Sequence, residues 1–583
     1  MFFKRLGAFA LALLLCLTAL PVFSSCSAAE PFDDVPETSY AYEDVLALRE
    51  MGITNGIGDN LYGAQYTLTR ADFVVLLSRL LGWEIDEAAD PGFDDLPNAQ
   101  YDYATAHIAA AVEHGAIEAG GRFRPGADIT REEMACMLVG ALGFDGLAST
   151  SAATSAVSPF VDVSESSHPE TYGHIMLAYD FGIINGVPSG DDLWFEPGAP
   201  ATREQTAAML MRLYRKISAP LDEIHTFYHY TGGTAQASLL GQSDSVSFGW
   251  ARLEYWNSKD GAYLNVTSQN GNQWRPSASA DELTASLDAL QVPYSLAVFM
   301  DRSQKVTLPD ETEARDVDLI LLDASQRQTA IEQIVAQATD QTGDIAYSGV
   351  TIDFEGLTLA SYAEPLNSFM RELRAALPEN MTLSIAVPPR QWYKGYDYRT
   401  LGEICDKVIL MAHDLTSTTL PEYQLDTDLP NTPLAPVSGV YTALKDITNP
   451  TDGVQDTDKI LLAVSFGTMR WEIVDGHVQH TATKTSSTSA IYERLCQANT
   501  EMFFDSVSLS PCIRYYDDSD QTTNVVWYED ARSVEAKLDL AAMFGIDGVS
   551  LWQAGTIPNY DSPDERDIHF DVWQMLQSRR AER

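Results

Sequence analysis

A chain of 583 residues has room for several domains, and its 83 acidic against 37 basic side chains leave a formal net charge of −46. That excess excludes nucleic acid as a partner and predicts a highly soluble, self-repelling chain. None of the six cysteines stands at metal-ligand spacing, and nothing in the pattern calls for a metal or a redox cofactor.

Residues 1–29 carry Lys4 and Arg5, an apolar run from Leu6 to Leu20 and a small-residue end at Ser27-Ala28-Ala29. This reads as a secretory signal. Cys26 follows Phe23-Ser24-Ser25, a poor lipobox, and no later segment is long and apolar enough to span a bilayer.

An ordered pattern then occurs three times. Phe32-Asp33-Asp34-Val35, Phe93-Asp94-Asp95-Leu96 and Phe160-Val161-Asp162-Val163 open the units. Gly52-Ile53, Gly115-Ala116-Ile117 and Gly182-Ile183 follow, and then Thr69-Arg70-Ala71-Asp72, Thr130-Arg131-Glu132-Glu133 and Thr202-Arg203-Glu204-Gln205. The threonine with an acid or amide three residues on predicts a capping box, and Phe73, Leu76, Leu77 and Leu80 keep helical spacing after it. Capping leaves Arg70, Arg131 and Arg203 unexplained, since a cation gains nothing from a helix N-terminus. The units resemble S-layer homology repeats, mainly helical, over residues 30–86, 91–145 and 158–218. That resemblance implies a cell-wall or cell-surface location and makes the three arginines contacts to an anionic secondary cell-wall polysaccharide, for which a bidentate guanidinium suits a carboxylate. The alternative is an arginine that braces neighbouring repeats through an aspartate.

Ala148 to Ser158, rich in Ser, Ala and Thr, reads as an exposed linker. A short junction near Ala219-Pro220 leads into residues 220–583, where apolar strand-like runs recur: His225 to Tyr230, Val246 to Tyr255, Tyr294 to Met300, Gly349 to Glu355, Met381 to Pro388, Lys407 to Asp414, Ile460 to Gly467 and Gly548 to Gly555. With helix-like stretches such as Ser361 to Leu377 and Ser533 to Phe544 between them, they predict a (β/α)8 TIM barrel, an α/β fold. Cys496 and Cys512 are a possible disulfide pair.

In Gly349-Val350-Thr351-Ile352-Asp353-Phe354-Glu355 an apolar run ends in two carboxylates. Side chains alternate along a strand, so Thr351, Asp353 and Glu355 share one face, at the end of the barrel where active sites gather. The segment, with Ser348 before it, resembles the strand-four signature DxxDxDxE of glycoside hydrolase family 18. Val408 to Asp414 resembles that family's sixth strand, Met-x-Tyr-Asp, and Gly548 to Trp552 its eighth. Val526-Trp527-Tyr528-Glu529-Asp530 with Ser533 and Lys537 is similar to the cortex-lytic, spore-germination subgroup.

The resemblance implies hydrolysis of β-1,4 links at N-acetylglucosamine residues, in peptidoglycan first and chitin-type glycans second, with the sugar's own acetamido oxygen as nucleophile. Glu355 is then the general acid. Asp353 holds the acetamido N–H and raises Glu355, Trp552 floors the sugar, and Met411, His413 and Asp414 line its pocket. Ser348 and Thr351 stand where the family has acids, and His413 where it has tyrosine. Thr351 is still expected to hydrogen-bond Asp353. These departures keep a second reading open, a lectin-like barrel that binds glycan without turnover, and a third, a structural wall protein. Trp392, Tyr393, Tyr396 and Tyr398 follow the fifth strand and read as a sugar platform, with Tyr515 and Tyr516 as weaker candidates.

Overall fold

The structure is a computed structural model that describes residues 30–155, 157–229, 236–259, 261–340, 345–427, 429–485, 487–519, 521–563 and 566–580. The expected secretory signal, with Cys16 and Cys26, lies outside the described residues. The chain forms two compact units: one takes the described residues up to Ala110 with Gly121–Ile129 and Pro200–Met211, and the other takes Ala111–Gly120, Thr130–Ala199 and the rest of the chain from Arg212.

In the first unit, helix Arg70–Leu80 starts at Thr69, whose hydroxyl accepts the Asp72 amide at 3.1 Å and donates to the Asp72 carboxylate at 2.8 Å. Its apolar face buries Phe73, Val74 and Leu77. Asp34 accepts the amides of Tyr62 at 2.6 Å and Gly63 at 2.7 Å, and Asp95 those of Phe123 at 2.7 Å and Arg124 at 2.9 Å. The same two aromatic residues are then gripped from another repeat. Arg203 Nε donates to the Tyr62 carbonyl and Arg70 Nε to the Phe123 carbonyl, both at 2.8 Å, with each guanidinium 4.8 Å from the ring centroid.

The second unit repeats this device. Asp162 accepts the Phe195 and Glu196 amides at 2.8 Å, and Arg131 Nε donates to the Phe195 carbonyl at 2.7 Å while Nη2 reaches the Asn185 carbonyl at 2.8 Å. Helix Arg131–Ala141 opens with a complete capping box between Thr130 and Glu133.

Ala148 to Ser158 is not a linker among its described residues. Short helices Asp145–Ala148 and Ser151–Thr154 bury Leu147, Ala148 and Ala153, and a Cβ on Gly173 would meet the Ala148 carbonyl oxygen at 1.8 Å. Small side chains that look unstructured in a sequence here permit close backbone packing. The third repeat also packs on the barrel: Asp180, ending helix Tyr172–Asp180, accepts from the Tyr441 hydroxyl and, at 2.6 Å, from Lys445 Nζ, and the Phe181 and Phe544 rings meet edge-on at 5.9 Å.

Eight parallel strands close the barrel: β1 Glu223–Tyr228, β2 Ser245–Trp256, β3 Tyr294–Asp301, β4 Gly349–Glu355, β5 Thr382–Val387, β6 Lys407–Leu410, β7 Ile460–Ser465 and β8 Gly548–Trp552, with β8 returning to pair with β1. All eight runs read from the sequence are strands, but several end sooner than expected. The sixth stops at Leu410, and Met411 to Asp414 leave the sheet, with Asp414 at φ 56°. The two expected helices are Ala363–Ala376 and Ala531–Met543. Phe227, Ala297, Ala386, Ile409, Leu461 and Ala463 fill the barrel interior.

Between β7 and β8 lies an antiparallel sheet that the sequence reading did not foresee, built from Thr468–Val474, His477–Val478, Thr483–Thr485, Glu501–Asp505, Ser510–Asp517 and Thr522–Trp527. Met469, Trp471, Val525 and Trp527 form its core, and the two indole N–H groups donate to Thr432 at 2.6 Å and to the Pro430 carbonyl at 2.7 Å. Cys512 is buried in this sheet opposite Phe503 and Trp527, whereas Cys496 is exposed and ends helix Thr488–Leu495; both are free thiols, as are Cys136 and Cys405.

Candidate active site

Alternation along β4 divides its residues as the pattern predicted. Val350, Ile352 and Phe354 are buried on the helix-facing side, where the Phe354 and Phe369 rings lie 5.1 Å apart, and Thr351, Asp353 and Glu355 take the other. Glu355, at the end of the strand, lines a cleft of about 270 Å³ together with Pro388, Trp392, Tyr393, Met411, His413 and Asp414. Residues from the ends of β4, β5 and β6 thus converge where a barrel concentrates chemistry.

Beneath Glu355, Asp353 is 2 % exposed and its Oδ1 has no hydrogen-bond partner. The expected bond from Thr351 is not made. Thr351 Oγ1 instead joins a buried polar chain: Thr351 to Ser247, Ser247 to His225 Nε2 and His225 Nδ1 to Ser550, each at 2.8 Å. Burial depresses the His225 imidazole to about 3, so it is neutral at the centre of this chain. Ser348 keeps a structural role, its amide and hydroxyl both donating to the Tyr294 carbonyl at 2.8 and 2.9 Å.

Burial first, then the charges of Glu355 and Asp301, push Asp353 well above the usual carboxylate range. Glu355 is raised as well, by burial and then by Asp301 and Asp414, with His413 opposing. Asp353 and Glu355 repel as a pair, as expected, and Asp301 is a further acid that raises both. Asp301 stands directly across from Glu355 in the pairing of β3 with β4, so the two carboxylates leave the barrel side by side. A neighbour more than fifty residues away leaves no local pattern in a sequence.

Asp414 holds His413 Nδ1 at 3.1 Å through Oδ2 and Lys484 Nζ at 2.5 Å through Oδ1. Burial alone would raise this carboxyl; the hydrogen bonds and charges of His413 and Lys484 overcome it and hold Asp414 well below the ordinary range. Asp414 also borders a second cavity of about 260 Å³, lined by Ser465, Lys484, Trp552, Gln553 and Thr556. Trp552 faces this cavity rather than the one at Glu355. Its ring centroid is 5.9 Å from that of Trp274, which stacks at 4.1 Å on Phe299. Trp274, Asp301 and Lys484 are the site residues that the sequence reading missed.

Of the four aromatics after the fifth strand, Trp392 is 47 % exposed and Tyr393 half-buried, and both line the cleft. Tyr396 and Tyr398 are buried and donate to the carbonyls of Phe354 at 2.5 Å and Pro388 at 2.7 Å, so they brace the loop instead of meeting ligand. Tyr515 and Tyr516 belong to the inserted sheet, where Arg494 lies 4.1 Å from the Tyr515 ring. Glu529 is buried, accepting from Lys537 and Ser533 at 2.6 Å, while Asp530 caps helix Ala531–Met543. Arg70 and Arg131 are 8 % and 4 % exposed, consistent with bracing between repeats. Among the described residues no cluster of His, Cys, Asp or Glu is arranged to hold a metal ion, and no helix is long and apolar enough to cross a membrane.

Residues 313–556 match the family model for glycosyl hydrolases family 18, and residues 31–74, 92–135 and 159–207 match the S-layer homology domain. An endoglucanase of Bacillus sp. (strain KSM-635) is 28% identical over 43% of this chain and 25% of its own length. A cortical fragment-lytic enzyme of Bacillus anthracis is 26% identical over 41% of this chain and 52% of its own, and a surface-layer 125 kDa protein of Lysinibacillus sphaericus 28% identical over 37% and 17%. The chain spans about half or less of the length of these curated relatives.

Proposed function

Three S-layer homology domains stand ahead of a family 18 glycosyl hydrolase domain in this chain, and from that premise we propose an exported glycosidase held at the cell wall, cleaving β-1,4 links at N-acetylglucosamine residues. Peptidoglycan is the favoured substrate, in keeping with the cortical fragment-lytic relative and the wall-binding repeats. The repeats take an anionic wall polymer at the junctions that Arg70, Arg131 and Arg203 organise.

The observation that carries the reading is the buried, unpartnered Oδ1 of Asp353 below a raised Glu355 at an open cleft. A buried acceptor without a donor is costly, and an acetamido N–H supplies the missing donor. Two close buried carboxyls hold one negative charge more readily than two. Binding of that N–H favours the ionised form of Asp353 and leaves the proton on Glu355. Glu355 then protonates the departing glycosidic oxygen while the acetamido oxygen attacks the anomeric carbon and the C–O bond breaks. Asp353 stabilises the positive oxazolinium ring so formed. The Glu355 carboxylate next takes a proton from water, which opens the ring with net retention. Trp552, in the adjoining cavity that Asp414 also borders, offers the glycan an apolar face.

The test is incubation of the full chain with peptidoglycan and with N-acetylglucosamine oligomers, reading new reducing ends by mass spectrometry beside Glu355→Gln. New ends from the wild type alone support the proposal and name the substrate. Binding without product from either glycan favours the lectin reading, to which the loss of a Thr351–Asp353 bond gives some ground.

A further inference from the structure

Lys484 stands on Thr483–Thr485 of the inserted sheet, its register set by pairing with Met469. From there it reaches Asp414, which lies beyond the end of β6 in the left-handed conformation that aspartate adopts more readily than most residues. Asp414 in turn engages Nδ1 of His413, and a carboxylate on one ring nitrogen fixes which nitrogen is left for other work. Asp414 borders both cavities of the mouth, so Lys484 ties the inserted sheet to the place where they meet.

We propose that Lys484 is a positioning residue of this mouth: it holds Asp414, and through Asp414 turns His413 so that Nε2 faces a bound glycan, while its charge offsets that of Asp414 beside Glu355. The inference rests on the glycosidase reading above and assigns a role to the insert, which supplies an electrostatic counterweight to an acid it does not touch.

The charged and titratable groups facing Glu355 are Asp353 on its own strand, Asp301 on β3, Tyr393 and Tyr396 after β5, and His413 and Asp414 after β6. Asp301 and Asp414 both favour the protonated acid. Without Lys484 the Asp414 charge acts on Glu355 less opposed, the acid keeps its proton to higher pH, and the alkaline limb of activity moves up. A residue that merely stiffened the insert would lower the rate and leave that limb in place.

The experiment compares wild type, Lys484→Met and Lys484→Arg as full chains, with two readouts. One is kcat and KM against pH on the glycan that the wild type cleaves. The other is the Glu355 carboxyl titration in glycan-free protein, followed by 13C NMR and assigned with Glu355→Gln. Lys484→Met is expected to raise KM, to lower kcat about tenfold and to move both the limb and the titration up by roughly half a unit. Lys484→Arg is expected to restore both. An unmoved titration in Lys484→Met overturns the inference, whatever the activity. A moved titration in a protein that cleaves neither glycan sinks the glycosidase reading and leaves the role of Lys484 standing.

Discussion

Asp353 and Glu355 lie two residues apart on one strand, and burial raises both carboxyls above their ordinary range. In the proposed mechanism Glu355 must carry a proton to act, so activity is expected to fall as pH rises through its raised pKa, at a higher pH than an ordinary glutamate would give. Asp301→Asn removes one of its acidic neighbours and is expected to move that limb to lower pH in a kcat/KM profile. Glu355→Gln should cost about 10²–10⁴ in kcat. For Asp353 the effect on stability has a definite sign: a pKa raised on folding gives stability that is complete below the unfolded value and is lost as pH rises through the folded one. Asp353→Asn should therefore raise the thermal midpoint at neutral pH, by the equivalent of about 1–3 kcal/mol, while reducing turnover. Asp353, Glu355, Met411, His413, Asp414, Trp392 and Tyr393 were legible in the sequence because each lies at or just beyond a strand end. Asp301 and Lys484 were not, because only strand pairing and the insert bring them to the mouth, and Trp274 was not, because it lies in the connection between β2 and β3, where no local pattern marks it.

Helix Ala531–Met543 starts on a buried ion pair, Glu529 with Lys537, both side chains 3 % exposed. Removing the lysine strands a buried carboxylate, so Lys537→Met is expected to lower stability by about 3–5 kcal/mol in a denaturant titration, whereas replacing both partners by apolar residues should cost less. The motif that resembles a spore-enzyme signature therefore has a structural account here. Period and length revealed the barrel strands well. They missed the inserted sheet, whose strands, such as Thr483–Thr485, are short and carry exposed polar residues that read as loop. They also mistook the helices near Ala148, where Ser, Ala and Thr serve close packing against Gly173.

At the scale of the second unit, the third repeat is seated on the barrel through Asp180, Tyr441 and Lys445 and through Phe181 and Phe544. Asp180→Ala removes the acceptor of both donors and is expected to hasten limited proteolysis between residues 181 and 223. A chain cut at residue 220 should be less stable than one that keeps the third repeat, because the cut bares Phe544 and the face of helix Val437–Ile447. On the proposed reading, a catalyst seated on its own anchor has a territory. It reaches only the bonds around one foothold, and once these are spent the next cut waits for the repeats to let go. On intact wall the product should appear as a burst followed by a slow phase set by release of the anchor, and on soluble oligomers as a single steady phase.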